Sequence, residues 1–458
     1  MKTIFITIFE GVESKNILRT DILPTLLNDP KTRIVLFTKS RERVEYHQRE
    51  FRNPRICYEV VEVPLVSGLD KFFQRLKFLL LSTGTTALRR EMVFDRNKNR
   101  LSYYAGIAAN WCLARPAVRR AVRWFDLKLV KGGTYRKFFE KYRPDLLICA
   151  NLFDEPEVHF LREAKRCGVK NIGFINSWDK ATARCILRLL PDKAVVFNNL
   201  LKREMIDYHD IREEDIFVGG IPQYDQYFSF RPKPRREFLR FLGLDPIKKI
   251  IVYSPVGGMF GDSDWTMIDI LYRLKNSGKF GSEAELFLRF PPNDFIDAEE
   301  LARRPFLKYA YPGARFSKKR GIDWDMNFTE LEHLSNTLCH MSLLVGYASS
   351  IGVDAAVFDK PVICINYEVR KEQMIKSPSV YSRMSHYQKA LSSGGIRLVN
   401  NEEELVEWVL KYLENPALDS KARRRLFESQ CQFLDGKSGE RIGKFILSQI
   451  PLTYVVEK

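Results

Sequence analysis

Short apolar runs alternate with amphipathic stretches along this chain, and this alternation constrains its fold most. Parallel strands need a crossover connection, usually a helix, so the pattern predicts parallel sheets with helices on both faces. The runs fall into two sets, one in each half of the chain. The first set is 3–9, 33–38, 57–63, 146–149, 172–175 and 194–197, and the second is 250–254, 286–289, 343–346, 362–365 and 395–399.

The amphipathic stretches between these strands predict the helices. A chain of 458 residues is too long for one core. The Pro-rich, charged stretch Phe228–Arg236 is typical of a linker. We therefore predict an α/β protein with two Rossmann-like doubly wound domains facing a cleft, at 1–228 and 247–437, and a C-terminal segment 438–458 whose helix packs back on the first domain. Helices are predicted at 18–27, 155–167, 200–208, 267–274, 330–341, 402–413 and 439–447.

Positive charge is concentrated in one segment of the first half. The chain carries a net charge of +17, and residues 66–143 hold 18 Lys and Arg against 5 Asp and Glu, an excess of 13. The segment is longer than a crossover needs, which predicts a basic helical insertion. Within it, Lys71–Leu81 and Arg115–Phe125 mix cations with aromatic residues, which suits an anionic membrane surface. Solvated amphipathic helices are the plain alternative; a nucleic-acid partner is not expected, although basic patches also serve that role.

Cysteines and histidines point away from metal chemistry. The eight cysteines are scattered without metal-ligand spacing, and the six histidines show no HExxH pairing. Reduced thiols fit a cytoplasmic protein. No apolar run is long enough to span a bilayer, so we expect a soluble or peripheral protein with no metal and no cofactor.

The segment that follows the predicted strand 343–346 suggests an anion site. A helix is predicted to begin at Ser349 or Ser350, and free amides at a helix start favour phosphate. Asp354 lies about one turn further on, where its carboxylate would reach sugar hydroxyls. Alternatively, Ser349 is only a helix cap and Asp354 only a first-turn acid.

Two further places in the second half suggest phosphate contacts. Gly257 and Gly258 follow the strand 250–254, and glycines let backbone amides approach phosphate oxygens. This loop lacks both the Walker and the GxGxxG spacing, so the motif is weak. Arg289 ends a strand and would pair with a diphosphate through its guanidinium, unless it is an ordinary surface arginine.

In the first half, two loops after strands suggest acceptor chemistry. Glu10, Gly11 and Glu13 follow the first strand and offer carboxylates beside a flexible backbone. Trp178 and Asp179 follow the strand 172–175, with an indole face for a sugar and a candidate general base. Ordinary loop, packing and capping roles remain open for all of these residues.

Four strings resemble a known family. They are Val218–Asp225, Ala348–Pro361, Ser177–Asp179 and Leu434–Ile442. Together they resemble GT-B glycosyltransferases, nearest to bacterial surface-polysaccharide enzymes and to the CDP-glycerol glycerophosphotransferase-like group. The likeness covers about 145–225 and 340–450. It implies a nucleotide-activated donor in the C-terminal domain, an acceptor in the N-terminal domain and catalysis without a metal.

The resemblance implies a glycosyltransferase of polysaccharide biosynthesis in the cell envelope, using a nucleotide-diphosphate sugar and a cell-surface glycan or lipid-linked acceptor. The glycerophosphotransferases usually have His-Pro where this chain has Phe290-Pro291, which favours sugar transfer. The open alternatives are a CDP-glycerol-type glycerophosphotransferase, a nucleotide-sugar 2-epimerase and a non-catalytic membrane adaptor. The expected roles are catalysis by Asp179 and then Glu13, donor binding by Gly257, Gly258, Arg289, Ser349, Ser350 and Asp354, and acceptor binding by Glu10, Gly11 and Trp178.

Overall fold

The computed structural model describes residues 1–64, 66, 68–370 and 373–451, and these residues form two compact units. The first unit comprises 1–86, 104–226 and the C-terminal part from 431. The second comprises 87–103 and 227–430. Residues 452–458 of the predicted C-terminal segment lie outside the described residues. The sequence predicts that the first domain ends at residue 228, and in the structure the first unit gives way to the second between Gln226 and Tyr227.

The first unit is built on a seven-stranded sheet in which every neighbouring pair is parallel. The strand order is β3-β2-β1-β4-β5-β6-β7, so the winding direction reverses between β1 and β4. Ligands of doubly wound sheets bind beyond the carboxyl ends of the strands at such a reversal. The strands are β1 (Lys2–Thr7), β2 (Thr32–Thr38), β3 (Ile56–Val60), β4 (Leu146–Cys149), β5 (Lys170–Phe174), β6 (Lys193–Val196) and β7 (Ile216–Val218).

The second unit has a six-stranded parallel sheet with its own reversal. Its order is β10-β9-β8-β13-β14-β15, and the reversal lies between β8 and β13. A separate antiparallel pair joins β11 to β12. The strands are β8 (Lys249–Ser254), β9 (Ala284–Arg289), β10 (Tyr309–Ala310), β11 (Ala314–Arg315), β12 (Trp324–Asp325), β13 (Leu343–Gly346), β14 (Val362–Ile365) and β15 (Arg397–Val399). The predicted fold class, with two Rossmann-like domains, is confirmed.

Helices connect the strands, and several of them form the predicted basic insertion between β3 and β4. No helix in the described chain is both long and apolar enough to cross a bilayer. The α-helices are α1 (Gly11–Ile17), α2 (Ile22–Asn28), α3 (Arg41–Glu50), α4 (Gly68–Leu76), α5 (Gly84–Asn97), α6 (Arg100–Leu113), α7 (Pro116–Leu129), α8 (Arg136–Tyr142), α9 (Glu155–Arg166), α10 (Lys180–Ala183), α11 (Asn199–His209), α12 (Asp225–Ser229), α13 (Arg235–Phe241), α14 (Asp264–Asn276), α15 (Ala298–Ala302), α16 (Phe328–His340), α17 (Ile351–Val357), α18 (Ser385–Leu391), α19 (Glu402–Glu414), α20 (Ser420–Cys431) and α21 (Ser438–Ser448). Short 3-10 helices lie at Glu213–Asp215, Pro222–Tyr224, Met374–Lys376 and Pro378–Arg383.

The C-terminal helix α21 completes the core of the first unit. Ile442 and Ile446 are fully buried in the aliphatic cluster formed by β1, β2, β4 and β5. Gly443 allows α21 to lie close to α2, because a Cβ there would stand 2.6 Å from the Cβ of Thr25. The Asp225 carboxylate accepts hydrogen bonds from the amides of Ser438, at 3.0 Å, and Gly439, at 2.6 Å. Two of the strings that carry the family resemblance therefore meet in one contact.

Part of the basic insertion belongs to the second unit. On α5, Leu88 and Met92 are buried against Val380 and Met384. The Asp95 carboxylate accepts the amide hydrogen of Met374 at 2.9 Å. The insertion therefore supplies one helix of the second unit as well as surface helices of the first.

Candidate functional site

Glu13 occupies the carboxyl edge of the first sheet, beside the strand reversal. Residues 10–16, expected as a loop, begin the helix α1, because Glu10 and Glu13 form a capping box. Glu13 is fully buried, and its Oε2 accepts the amides of Phe9 and of Glu10, the latter at 3.0 Å. The pairing that starts the helix thus fixes a carboxylate at the end of β1.

A second buried carboxylate, Glu157, comes from the segment that follows β4. It is fully buried on α9, and its Oε2 accepts the amide of Asn151 at 2.7 Å. Burial and then repulsion by Glu13 raise the pKa of Glu157 well above its usual range. Burial, followed by repulsion from Asp154, raises the pKa of Glu13 to about 7, against the attraction of Lys180. Two acids at this edge are therefore poised to hold protons near neutral pH.

Several buried polar atoms around these acids have no hydrogen-bond partner within the described protein. Asn16 connects α1 with the loop after β5, because its Nδ2 donates to the carbonyl oxygen of Asn176 at 3.4 Å. Leaving such atoms unsatisfied costs about 1–3 kcal/mol each, so a concentration of them marks a place where a polar ligand binds. The atoms are Glu13 Oε1, Glu157 Oε1, Asn16 Oδ1, Asn176 Oδ1 and Nδ2, and Thr182 Oγ1. We call this group of residues the carboxylate cluster.

Lys180 supplies positive charge to the carboxylate cluster. Its side chain is buried, which lowers its pKa, while Asp154 and Glu13 act in the opposite direction. Sequence reasoning missed both Lys180 and Glu157. The pattern around Glu157 is that of an acidic first helical turn, and only its burial in the fold distinguishes it from a surface acid.

The other residues predicted in the first half lie around this edge with other partners. Glu10 forms an ion pair with Lys39, and Gly11 is the first residue of α1. Trp178 and Asp179 are half-buried in the loop after β5. The Ser177 hydroxyl donates to Asp179 Oδ1, and Asp179 precedes the short helix α10.

In the second unit, Arg289 is the most informative of the predicted donor residues. It ends β9, is only 4% exposed, and donates from Nη1 to Nδ1 of His333 at 2.9 Å. Within the described chain, no carboxylate forms an ion pair with this guanidinium. Burial lowers the pKa of Arg289 to about 10, against the effects of Tyr227, Glu330 and Asp354. A buried cation without a paired anion is costly, which is the electrostatic setting of an anion site.

The contact with Arg289 determines the protonation state of His333. Burial and the charge of Arg289 lower the pKa of His333 to about 4, so the imidazole is neutral at pH 7. Its Nδ1 accepts the guanidinium hydrogen, which places the imidazole proton on Nε2. The ring therefore orients Arg289 without competing for an anion.

The predicted serine segment begins its helix slightly later than expected. Helix α17 starts at Ile351 after the N-cap Ser350, and no side chain caps it. Ser350 is exposed and Ser349 is half-buried. Asp354 Oδ1 accepts the hydroxyl of Tyr227 at 2.8 Å, so Asp354 is held within the second unit beside a phenol.

The glycine loop after β8 already has carboxylate partners for its amides. The amide of Gly257 donates to Asp264 Oδ2 at 2.8 Å, and that of Gly258 donates to Asp294 Oδ2 at 2.6 Å. Burial raises the pKa of Asp264 to about 6. A cavity of about 240 Å³ beside this loop is lined by five carboxylates and two arginines, a balance that disfavours a diphosphate. A phosphate would have to displace these carboxylates, which makes Gly257 and Gly258 weaker donor candidates than Arg289.

Comparison with protein-family models finds one match. Residues 309–448 match the family of CDP-Glycerol:Poly(glycerophosphate) glycerophosphotransferase. This span includes Ser349, Ser350 and Asp354. No curated protein matches the sequence.

Solved structures share the fold at low sequence identity. A putative UDP-N-acetylglucosamine 2-epimerase from Listeria monocytogenes is 10% identical with a TM-score of 0.54, covering 99% of both chains. UDP-GlcNAc 2-epimerase from Neisseria meningitidis, solved with UDP-GlcNAc bound, is 11% identical with a TM-score of 0.54, covering 98% of this chain and all of the other (100%). A glycosyltransferase from Rickettsia africae is 13% identical with a TM-score of 0.50, covering 98% and 99%.

These comparisons confirm the resemblance inferred from the sequence. The chain has the GT-B fold, and its C-terminal part resembles the CDP-glycerol glycerophosphotransferase-like group. Since identities of this size show the fold alone, they do not distinguish transfer from epimerisation.

Proposed function

We propose that this protein is a glycosyltransferase that moves a sugar from a nucleotide-diphosphate donor to a cell-surface glycan or lipid-linked acceptor, working peripherally on the inner face of the cell membrane. The observation that carries the proposal is the buried guanidinium of Arg289, which lacks a carboxylate partner among the described residues. It lies in the second unit, which contains residues 309–430 of the span 309–448 that matches the glycerophosphotransferase family.

The donor diphosphate is bound through Arg289, with Ser349 and Ser350 as hydroxyl donors and Asp354 at the ribose. Attraction to a guanidinium in a water-poor site stabilises the charge that develops on the leaving diphosphate. Asp354 is paired with Tyr227, so ribose binding exchanges or shares that hydrogen bond. No metal ion is required in this scheme, because the cation of Arg289 supplies the electrostatic stabilisation.

The acceptor proton is taken by Glu13. The acceptor hydroxyl attacks the anomeric carbon, the bond from that carbon to the diphosphate breaks, and the nucleoside diphosphate leaves with the electron pair. A pKa of about 7 suits a general base at neutral pH. Asp179, the first choice from the sequence, is half-buried and hydrogen-bonded to Ser177, and we rank it second.

Sugar transfer is favoured over glycerophosphate transfer by the residue before Pro291. Phe290 is buried in an aromatic group with Trp265, Tyr309 and Tyr311. A phenyl ring there cannot supply the acid-base chemistry of the histidine usual in glycerophosphotransferases. The match of residues 309–448 supports that second candidate function, and the epimerase alternative rests on fold likeness alone.

A thermal-shift screen against UDP, GDP, CDP and dTDP tests the donor site, because a ligand that binds only the native state raises its melting temperature. We expect one diphosphate to raise the melting temperature of the wild type and to lose this effect in Arg289→Met. The matched control is Arg423→Met, since Arg423 is also fully buried in the second unit but pairs with Asp359 at 2.7 Å. We expect Arg423→Met to have a lower melting temperature without nucleotide and to show the same nucleotide-induced increase in melting temperature as the wild type.

Three results separate the candidate functions. Release of nucleoside diphosphate only when a lipid-linked acceptor is present supports transfer. Conversion of the nucleotide sugar without any acceptor would identify an epimerase, and consumption of CDP-glycerol would identify the glycerophosphotransferase. An equal nucleotide shift in wild type and Arg289→Met would remove Arg289 from the donor site.

A further inference from the structure

Helix α6 exposes an apolar face to solvent. Leu101 is 83% exposed, Tyr104 65% and Trp111 69%. The helical spacing puts these side chains on one side of α6, with Ala105 and Ala108 between them. Arg100, at the helix start, is the only charged residue of α6. A helix facing water normally carries polar and charged residues on that side, so an exposed face of this composition is typical of an interaction surface.

The protein fixes the direction of this face. Asn110 is the one buried residue of α6, and its Nδ2 donates to the carbonyl oxygens of Leu79, at 2.8 Å, and Leu81, at 2.9 Å. Leu113 packs on a buried cluster formed by Leu80, Leu81 and Ile186. The side of α6 that carries Asn110 and Leu113 is thus anchored on the protein, and the aromatic side is held outwards.

Two more helices of the insertion expose apolar and basic residues together. On α7, Trp124 is 58% and Phe125 47% exposed, and Arg120 and Lys128 are exposed beside them. On α4, which packs against α7, Phe72 is 55% exposed. We call the exposed side chains of α4, α6 and α7 the aromatic-basic surface.

The cations of α7 divide into two sets. Arg119 and Arg123 are buried and share the single carboxylate of Asp210, at 2.5 Å and 2.7 Å, so these two cations are held within the protein. Arg120 and Lys128 remain at the surface. The exposed cations of α7 therefore lie next to its exposed aromatic rings, Trp124 and Phe125.

We propose that the aromatic-basic surface binds an anionic bilayer, with the face of α6 inserted among the acyl chains and the exposed Lys and Arg at the head groups. Charge complementarity supports this occupant, because the exposed charged residues of α4, α6 and α7 are all cations, namely Lys71, Arg75, Arg100, Arg120 and Lys128. Aromatic rings next to cations suit the interface, where one side of a helix is apolar and the other is wet. This inference rests on the peripheral membrane placement in the proposed function and identifies the surface responsible for it, but it does not depend on the sugar-transfer chemistry.

Sedimentation of the full chain with phosphatidylcholine vesicles, with and without phosphatidylglycerol, tests this surface. We expect the wild type to sediment with the anionic vesicles only. The triple variant Leu101→Ser, Tyr104→Ser and Trp111→Ser should bind at least about tenfold more weakly, because its apolar insertion is lost. The matched control is Phe241→Ser with Ile247→Ser, residues that are 76% and 72% exposed in the second unit. The control should bind as the wild type does.

Charge variants and oligomeric state complete the test. Arg120→Gln with Lys128→Gln should weaken vesicle binding by about fivefold per cation removed. Equal binding by the wild type and the triple variant would overturn the proposal. A wild-type dimer that becomes monomeric in the triple variant, without vesicle binding, would assign α6 to a second copy of this chain and would also overturn it.

Discussion

Two groups of buried charged residues in the first unit both include residues of helix α9. In one group the carboxylates are paired with cations, and in the other the carboxylates have raised pKa values. The first, which we call the ionic network, surrounds Arg188. This guanidinium pairs with Asp126 at 2.8 Å, with Asp70 at 2.7 Å and with Glu155. Arg162 of α9 pairs with Asp126 at 2.7 Å. Each of these carboxylates faces a cation.

The pKa values show the difference between the groups. Burial alone would raise the pKa of Asp70, but hydrogen bonds from His159 and Arg188 lower it to about 2. In the carboxylate cluster, burial outweighs Lys180 and raises the pKa of Glu13 to about 7. Charges that are neutralised by pairing are typical of a structural role. Buried acids with raised pKa values, next to polar atoms that have no hydrogen-bond partner in the described chain, are typical of a reaction site.

Removal of the central cation of the ionic network should have the largest effect. Arg188→Met leaves Asp70, Asp126 and Glu155 without their shared partner and should lower the free energy of unfolding by about 3–5 kcal/mol. Urea denaturation measures this loss. The control Arg203→Met breaks only an exposed pair with Asp207 and should cost less than about 1 kcal/mol. Equal losses in the two variants would contradict a structural role for the network.

Substitution in the carboxylate cluster should reduce catalysis and preserve the fold. Glu13→Gln removes the proposed base and should lower turnover about a hundredfold, measured as release of nucleoside diphosphate. The nucleotide-induced shift in melting temperature should persist, because Glu13 belongs to the other unit. Glu163→Gln, a buried change elsewhere on α9, is the control and should keep turnover. Wild-type turnover in Glu13→Gln would exclude Glu13 as the base.

The same variant should change how stability depends on pH. The pKa of Glu13 is raised from 4.5 to about 7 in the folded state. Its contribution is fully present below pH 4.5 and is lost as pH rises towards about 7, because the unfolded chain releases this proton first. Glu13→Gln should therefore lose less stability than the wild type over that interval. If the free energy of unfolding changes equally with pH in the two proteins across this range, Glu13 does not titrate as proposed.

The smallest effect is expected at Asp179. Asp179→Asn should lower turnover by less than about tenfold and leave nucleotide binding unchanged, because a half-buried residue beside Ser177 is not the proposed base. Turnover assays under the conditions used for Glu13→Gln allow a direct ranking. A larger loss in Asp179→Asn than in Glu13→Gln would return Asp179 to first place.

The sequence predicts most of the sheet architecture because buried parallel strands are continuous apolar runs. Leu146–Cys149, Leu343–Gly346 and Val362–Ile365 are strands as predicted. The strand Ile216–Val218 was not predicted, since it is only three residues long and half-buried at the sheet edge. The prediction of a loop after the first strand was also wrong. Glu10 and Glu13 form a capping box that starts a helix, and the interpretation as a loop overlooked this pattern.

The candidate site was less predictable, because burial and pairing are properties of the fold. Arg289 was selected from its place at a strand end, but only the structure shows a buried guanidinium with a neutral imidazole for a partner. Glycines suggested free amides at Gly257 and Gly258, and the acids that occupy these amides lie 7 and 36 residues away along the chain. Such long-range partners leave no local signal in the sequence.

The return of α21 to the first unit affects how the protein is made. On the ribosome, β1 to β7 emerge long before Ile442 and Ile446, which fill their aliphatic cluster. The sheet therefore keeps an open apolar face until the residues of α21 have also been synthesised. A nascent chain in this state is a natural client for chaperones, and a premature stop before α21 removes part of the N-terminal core rather than a dispensable tail.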